Sequence, residues 1–452
     1  MFTAIEKDTI PGLDFTPVAS SRSWTPAMTL RERVTGSHSV PGDKSITHRA
    51  LMLAALAPGR SHITGALASL DARSTAGVLR RLGAEISALR PGATVSVSGH
   101  RRFSAPATAL NCGNSGTTAR LLLGLLAGHR FRAVLTGDRS LRGRPMRRVT
   151  EPLRQMGAAV EDGGLDGLPL AISGGRLLPL DWQMPVPSAQ IKSALLFAGL
   201  TGNVPVTLRE SATTRDHTER LLRQFGFTVA SREGILRFAP SGRLVPFEVQ
   251  IPGDPSSAAF LLAAALLAED GEIRVVGVGL NPTRTGFLEV LRRMGAKIAI
   301  EGVHTPFGEP VGDLVANPSR LKAVDVPAAE IPGIIDEVPI LACLAARAEG
   351  VSRFRSVEEL RVKESDRLAL LVQNLQALGV VAAAEGNDLV VTGTDAPLAG
   401  RVVTTGDHRI AMAFSILGRG RGSRVRIDNP DCAAVSFPGF LDALRDLRGA
   451  RQ

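Results

Sequence analysis

Val40-Pro41-Gly42-Asp43-Lys44-Ser45 and Ile251-Pro252-Gly253-Asp254-Pro255-Ser256 are almost the same six residues, met twice in one chain. Each runs from a β-branched residue through Pro-Gly into an Asp suited to capping a helix, and an Ala-rich apolar run follows both. Two such copies, half a chain apart, point to internal repetition.

The repetition extends further. A polar cluster, usually containing glycine, leads into an Ala/Leu-rich helix six times: GDKSITHR (42–49), GNSGTTAR (113–120), PSAQIKSA (187–194), GDPSSAAF (253–260), IDEVPILA (335–342) and GDHRIAMA (406–413). Gly59, Gly128, Gly202, Gly271, Gly350 and Gly422 are expected to stop these helices before strand-like runs such as Val204–Leu208 and Ile273–Val278. A second helical signature comes late in each unit: LRRLGAEI (79–86), LRQMGAAV (153–160), LRQFGFTV (222–229), LRRMGAKI (291–298), LQALGVV (375–381) and a degenerate copy at Leu444–Gly449. Its apolar residues, three apart, share one helical face, and its glycine supplies a left-handed cap.

With a period of about 70 residues these are six small α/β units, not solenoid turns. The paired segments lie halfway round the six, so the chain is expected to form two domains of three units. One covers 42–251; the other is discontinuous, 29–41 plus 252–452, with the crossovers at 40–42 and 251–253 as the hinge. Residues 1–28, with Pro11, Pro17 and Pro26 among polar residues, read as a loosely ordered leader.

Length and composition agree. A chain of 452 residues exceeds one ordinary core. With 44% hydrophobic and 21% charged residues it is of globular type. Its net charge of +10 raises the question of nucleic acid, but there is no Tyr, there are two Trp, and the Arg residues are dispersed. A cationic cleft for small anions fits better, and no nucleic-acid partner is expected. Cys112, Cys343 and Cys432 form no CxxC pair and suit a reducing compartment. No apolar run of spanning length and no signal-peptide layout occur, so the expectation is a cytoplasmic chain with no membrane partner.

Each polar opening is a helix N-terminus, where free N–H groups and the helix dipole favour anions. Capping alone accounts for most Ser, Asp and Asn residues there. Lys and Arg do not fit that role, because the dipole disfavours cations in a first turn. Lys44 and Arg49 in the first opening and Arg409 in the last therefore ask for an anionic ligand. Arg144, with Arg147 and Arg148 around Pro145, forms another basic knot. Asp336 and Glu337 open the fifth helix. Lys363, Glu364 and Arg367, within 359–367, can reach one cleft, although a salt-bridged helix start is an equal reading. Glu364 could donate a proton only if burial or an arriving anion raised its pKa. Walker, GxGxxG, HExxH and GxSxG patterns are absent, which leaves charge-stabilised group transfer between anions.

Together VPGDKSITHRALMLAAL, GNSGTTARL, GRPM, PSAQIKSALLFAGL, TRDHTE, GDPSSAAFLLAAALL, NPTRTG, RVKESDR and GDHRIAMAF, spread from Val40 to Pro438, resemble the 5-enolpyruvylshikimate-3-phosphate synthases. GDKS, TRDHTE and NPTRTG resemble the second class of that family. The resemblance implies two α/β domains, each of three βαβαββ-type units, closing over a cleft. It implies enolpyruvyl transfer from phosphoenolpyruvate to the 5-hydroxyl of shikimate 3-phosphate, with no cofactor and no metal; a monomer is the expected state. By motif, Lys44 meets both substrates. Ser45, Arg49, Ser188, Ala189, Gln190, Arg215, Asp336 and Lys363 fall on the shikimate 3-phosphate side. Gly116, Arg144, Gln190, Arg367 and Arg409 fall on the phosphoenolpyruvate side. Asp336 or Lys44 removes the hydroxyl proton, and Glu364 protonates the methylene.

Two departures matter. Val435 stands where many first-class members carry Lys. Gly116 lacks the methyl that tolerant second-class enzymes can place against glyphosate, so sensitivity to that inhibitor is expected. The sister family acting on UDP-N-acetylglucosamine usually carries a reactive Cys in the loop matching Gly137–Pro145, where this chain has none. A non-catalytic anion binder would gain nothing from carboxylates such as Asp336 and Glu364 in its cleft.

Overall fold

The computed structural model describes residues 33–447, Arg421 excepted, so the expected leader and Gly449 of the sixth repeat copy lie outside the described residues. The unit plan is clearest in the third copy: strand Leu180–Gln183, helix Ala189–Gly202, strand Val206–Arg209, helix His217–Gln224, then strands Thr228–Arg232 and Ile235–Ala239. The first two strands are parallel, and the hairpin adds antiparallel beside the second. Four other units repeat this four-stranded order, while the sixth forms a two-stranded parallel sheet, Ala399–Val402 with Arg424–Ile427.

In two sheets the edge strand comes from far away in the chain. Val34–Ser39 lies parallel to Gly271–Gly279, and Glu248–Gln250 lies parallel to Gly59–Thr64. Where the two crossovers pass, Gly42 and Gly253 form an antiparallel bridge. A Cβ on Gly42 would fall 1.9 Å from the Gly65 carbonyl oxygen, so only glycine lets the backbones approach there.

The first helix of each unit is apolar on every side and buried; all twelve residues of Pro255–Leu266 are covered. These helices assemble two hydrophobic cores, one drawn from Ile46 to Ile251, the other from Val34 and Ala258 to Leu447. The second helices are amphipathic and end as their signature requires. Gly83, Gly157, Gly226, Gly295 and Gly379 all take left-handed φ values between +75° and +102°. The first helices end differently from expectation. They stop at Leu56, Leu266, Ala345 and Leu417, several residues ahead of Gly59, Gly271, Gly350 and Gly422, whose positive φ serves the entry to the next strand instead. Gly128 does cap its helix, whereas Gly202 lies inside one and Asn203 takes the left-handed turn at φ +54°. No helix among the described residues is long and apolar enough to cross a membrane.

Candidate active site

The polar ends of the buried helices converge between the two cores. Lys44 and Ser45 begin helix Lys44–Leu56, Gly116 begins Gly116–Ala127, and Ala189 and Gln190 begin Ala189–Gly202 after the N-cap Ser188. From the second half come Asp336 and Glu337 ahead of Val338–Ala345, Lys363 and Glu364 ahead of Arg367–Ala377, and Arg409 in His408–Leu417.

Hydrogen bonds tie the first group together. Arg120 donates to the Gln190 Oε1 at 2.6 Å and to the Pro145 carbonyl at 3.0 Å, and Gln190 Nε2 donates to Thr117 Oγ1 at 3.0 Å. Arg144 donates to Asn114 Oδ1 at 2.6 Å and to Ser140 Oγ at 3.3 Å. An added Cβ on Gly116 would lie 3.2 Å from Arg120 Nη1 and 3.3 Å from Arg144 Nη1, so both guanidiniums crowd that helix start. Arg49 is buried behind Ser45, donating to the Ser45 carbonyl, Ser193 Oγ and Thr218 Oγ1. Lys44 pairs with Asp71 at 3.3 Å.

The second group is built around Asp336. Arg215, from the first half, pairs directly with its carboxylate. Arg367 Nη1 and Arg409 Nε lie 3.5 and 3.7 Å from its Oδ1. Arg409 also donates to the Asp336 carbonyl at 2.8 Å. Arg367 is in turn oriented by Asp407, at 2.8 Å from its Nε, and pairs with Glu364. Burial alone would raise the Asp336 carboxyl, but Arg409, Arg215, Lys363 and Arg367 hold it well below the usual carboxylate range. Glu364 behaves alike: against burial, Arg367, His408, Lys44 and Arg144 hold it well below that range. Burial therefore does not make Glu364 an acid by itself; a change in the surrounding charge is needed. Lys44 and Arg144 act on it from the first half, so one electrostatic site spans both. Burial lowers Lys363, although Asp336 and Glu359 oppose this.

Comparison with known proteins decides the lineage. Residues 28–444 match the EPSP synthase family, 3-phosphoshikimate 1-carboxyvinyltransferase. The 3-phosphoshikimate 1-carboxyvinyltransferase of Gluconobacter oxydans is 48% identical over 425 residues, 92% of this chain and 95% of that protein. That of Acidiphilium cryptum is 46% identical over 442 residues, 96% and 97% of the two chains. The solved EPSP synthase of Acinetobacter baumannii superposes with a TM-score of 0.83 at 38% identity, covering 93% of this chain and 97% of its own. The chain belongs to the EPSP synthase family. It is an enzyme, a transferase of the enolpyruvyl transferase fold.

Several parts of this candidate site are not singled out by the sequence. Arg120 is one of them; a cation one turn after Gly116, on a helix buried along most of its length, is the signal that marks it. Lys192 is buried between Glu210 at 3.0 Å and Glu219 at 2.9 Å, a closed network that supports the Gln190 helix. Arg148 reaches Glu359 at 3.4 Å, another ion pair between the halves. Val435, in place of the lysine of many first-class members, is half-buried in the turn Pro430–Val435 and brings no charge. The Gly137–Pro145 segment supplies Arg144 and no thiol; Cys112, Cys343 and Cys432 are all free, and burial pushes Cys112 up to about 12.

Proposed function

We propose that this cleft carries out the family's addition–elimination on phosphoenolpyruvate and shikimate 3-phosphate, with Lys44, Asp336 and Glu364 as the reacting groups. The observation that carries the reading is Asp336, a carboxylate held by Arg215 from one half and by Arg367 and Arg409 from the other. Such a cluster suits two polyanionic substrates. Shikimate 3-phosphate lies against Lys44, Ser45, Arg49, Ser188, Ala189, Gln190, Arg215, Asp336 and Lys363. Phosphoenolpyruvate lies against Lys44, Gly116, Arg144, Gln190, Arg367 and Arg409, where bidentate guanidiniums hold its phosphate and carboxylate better than ammoniums would.

The pKa directions explain how the carboxylates enter the chemistry. Substrate anions take over the guanidiniums that hold Asp336 and Glu364 ionised, so both pKa values rise on binding. Asp336, or Lys44, then accepts the 5-hydroxyl proton as that oxygen adds to C2, while C3 takes a proton from Glu364. The tetrahedral adduct expels phosphate from C2, and C3 gives the proton back, restoring the double bond. Domain closure excludes water and strengthens every charge contact.

Finer points belong to the same reading. The domains divide as 42–251 and 29–41 plus 252–452, consistent with the two cores. GDKS, TRDHTE and NPTRTG assign the second class. The enzyme acts as a monomer, since one chain supplies every group named, and in the cytoplasm, where three free thiols persist. The test is phosphate release from phosphoenolpyruvate by purified protein. Release only with shikimate 3-phosphate supports the reading; release only with UDP-N-acetylglucosamine would replace the acceptor.

A further inference from the structure

We infer that Arg284 is a positioning residue that sets Lys44 from the hinge, an inference resting on Lys44 being a substrate contact. Arg284 is 2% exposed and sits between the two pseudo-equivalent crossovers. Its Nη1 donates to Asp43 Oδ2 at 3.1 Å, and its Nη2 donates to Asp254 Oδ1 at 3.1 Å and to Ser256 Oγ at 2.7 Å. Those two aspartates are the N-caps of the paired helices: Asp43 accepts from the Ile46 N–H and Asp254 from the Ser256 N–H, both at 2.8 Å.

One bond breaks the symmetry of this arrangement. Asp254 Oδ2 also accepts the backbone N–H of Lys44, from the other half, at 3.0 Å. Helix Lys44–Leu56 thus receives two buried carboxylates at its first turn, one from each side of the hinge. They offset the dipole's penalty on a cation at that position and fix the backbone of Lys44. Two buried carboxylates this close repel, and Arg284 neutralises them; against burial, it is the foremost group holding Asp43 below its ordinary value. The crossovers themselves are laced by the Asp43 N–H to the Pro252 carbonyl, 2.8 Å, and the Asp254 N–H to the Pro41 carbonyl, 2.9 Å. The Asn281–Arg284 turn extends the device: Asn281 Nδ2 donates to Asp216 Oδ1 at 2.7 Å, next in sequence to Arg215. One turn therefore braces Lys44 through the two capping carboxylates and touches a neighbour of Arg215 directly.

The experiment is a double-mutant cycle on Lys44→Ala and Arg284→Gln, read by shikimate 3-phosphate affinity and turnover, with hydrogen exchange on peptides spanning 42–49 and 50–57. Arg284→Gln should lower kcat/KM about tenfold to hundredfold, the scale of a ~1 Å misplacement. Exchange should rise at 42–49 and not at 50–57, and Arg284→Lys should restore part of the loss. On the Lys44→Ala background the second substitution should cost less than threefold (roughly additivity error). Additive losses, or exchange rising equally in both peptides, would make Arg284 a general structural residue and overturn the inference. A Lys44→Ala enzyme of normal affinity and turnover would instead remove the reading beneath it. Should Arg284→Gln not fold, Asp254→Ala, which deletes the acceptor of the Lys44 N–H, goes through the same cycle.

Discussion

Replacing Asp336 by Asn separates chemistry from structure in the cleft. The two guanidinium contacts at 3.5 and 3.7 Å each correspond to about 5 kcal/mol of Coulomb attraction at an effective dielectric constant near 20. Neither guanidinium is left unpaired, which limits the cost to the fold. Arg367 keeps Asp407 at 2.8 Å and Glu364, and Arg409 keeps the residue-336 carbonyl at 2.8 Å, which Asn also offers. Arg215 loses its carboxylate, and with both members of that pair only 17% exposed the loss is that of a largely buried pair, about 3 kcal/mol, within the margin of an ordinary domain. The variant therefore folds, with an unbalanced positive charge that favours the substrate phosphate. If Asp336 is the base, kcat falls about 10²- to 10⁴-fold, about 3–5 kcal/mol of barrier, while shikimate 3-phosphate affinity holds or improves. Rapid-quench phosphate release and titration calorimetry read the two quantities. Turnover within about threefold of wild type would refute the base assignment and leave the hydroxyl proton to Lys44.

Further expectations follow the same physics. Glu364→Gln should lower kcat about hundredfold or more with phosphoenolpyruvate binding retained, and loss of binding in calorimetry without a turnover defect would count against its donor role. Gly116→Ala places a methyl at 3.2 and 3.3 Å from the Arg120 and Arg144 guanidiniums, which must each give by a few tenths of an ångström. KM for phosphoenolpyruvate should rise about threefold to tenfold, roughly 1 kcal/mol, and glyphosate inhibition should weaken more than that; a wild-type enzyme fully active in millimolar glyphosate at low phosphoenolpyruvate would show that Gly116 does not govern sensitivity. His48 and His408 are buried neutral, pushed down by burial to about 3 and about 4. The unfolded chain binds their protons first, so stability is full above about pH 6.5 and falls below it by about 1.4 kcal/mol per pH unit per histidine, down to about pH 4 for His408. Urea midpoints at pH 7.5, 6.0 and 5.0 measure the slope, and His408→Gln should flatten it; an unchanged slope would contradict the assignment.

What the sequence made legible was what repeats. Six polar openings and five Leu-Gly signatures lie within short windows, where helix period and cap chemistry apply directly, and a first-turn Lys44 or Arg409 is visible as a conflict with the helix dipole. Contacts without local periodicity were not legible. The edge strand Val34–Ser39 finds its partner more than 230 residues on, and Arg284 clamps Asp43 from 241 residues away, separations at which spacing carries no geometric information. Helix-ending glycines were misplaced because a glycine needed to enter a strand looks the same as one that ends a helix.

Asp336 and Glu337 mark the boundary most sharply. They are adjacent acids before one helix, and by sequence each is an equally good cap. In the fold neither side chain caps that helix: the Asp336 carboxylate meets Arg215, Arg367 and Arg409, while Glu337 turns back into the protein and accepts from Ser256. Both are desolvated. Three nearby guanidiniums and Lys363 outweigh that cost for Asp336 and pull it down, whereas for Glu337 burial, with the Asp336 charge beside it, outweighs Arg284 and Arg409 and pushes it up. One peptide bond thus separates a carboxylate kept charged for anionic substrates from one that resists ionisation. The difference lies in which cations the fold delivers to each, and those come from Arg215, Arg284, Arg367 and Arg409 in four separate units of the repeat.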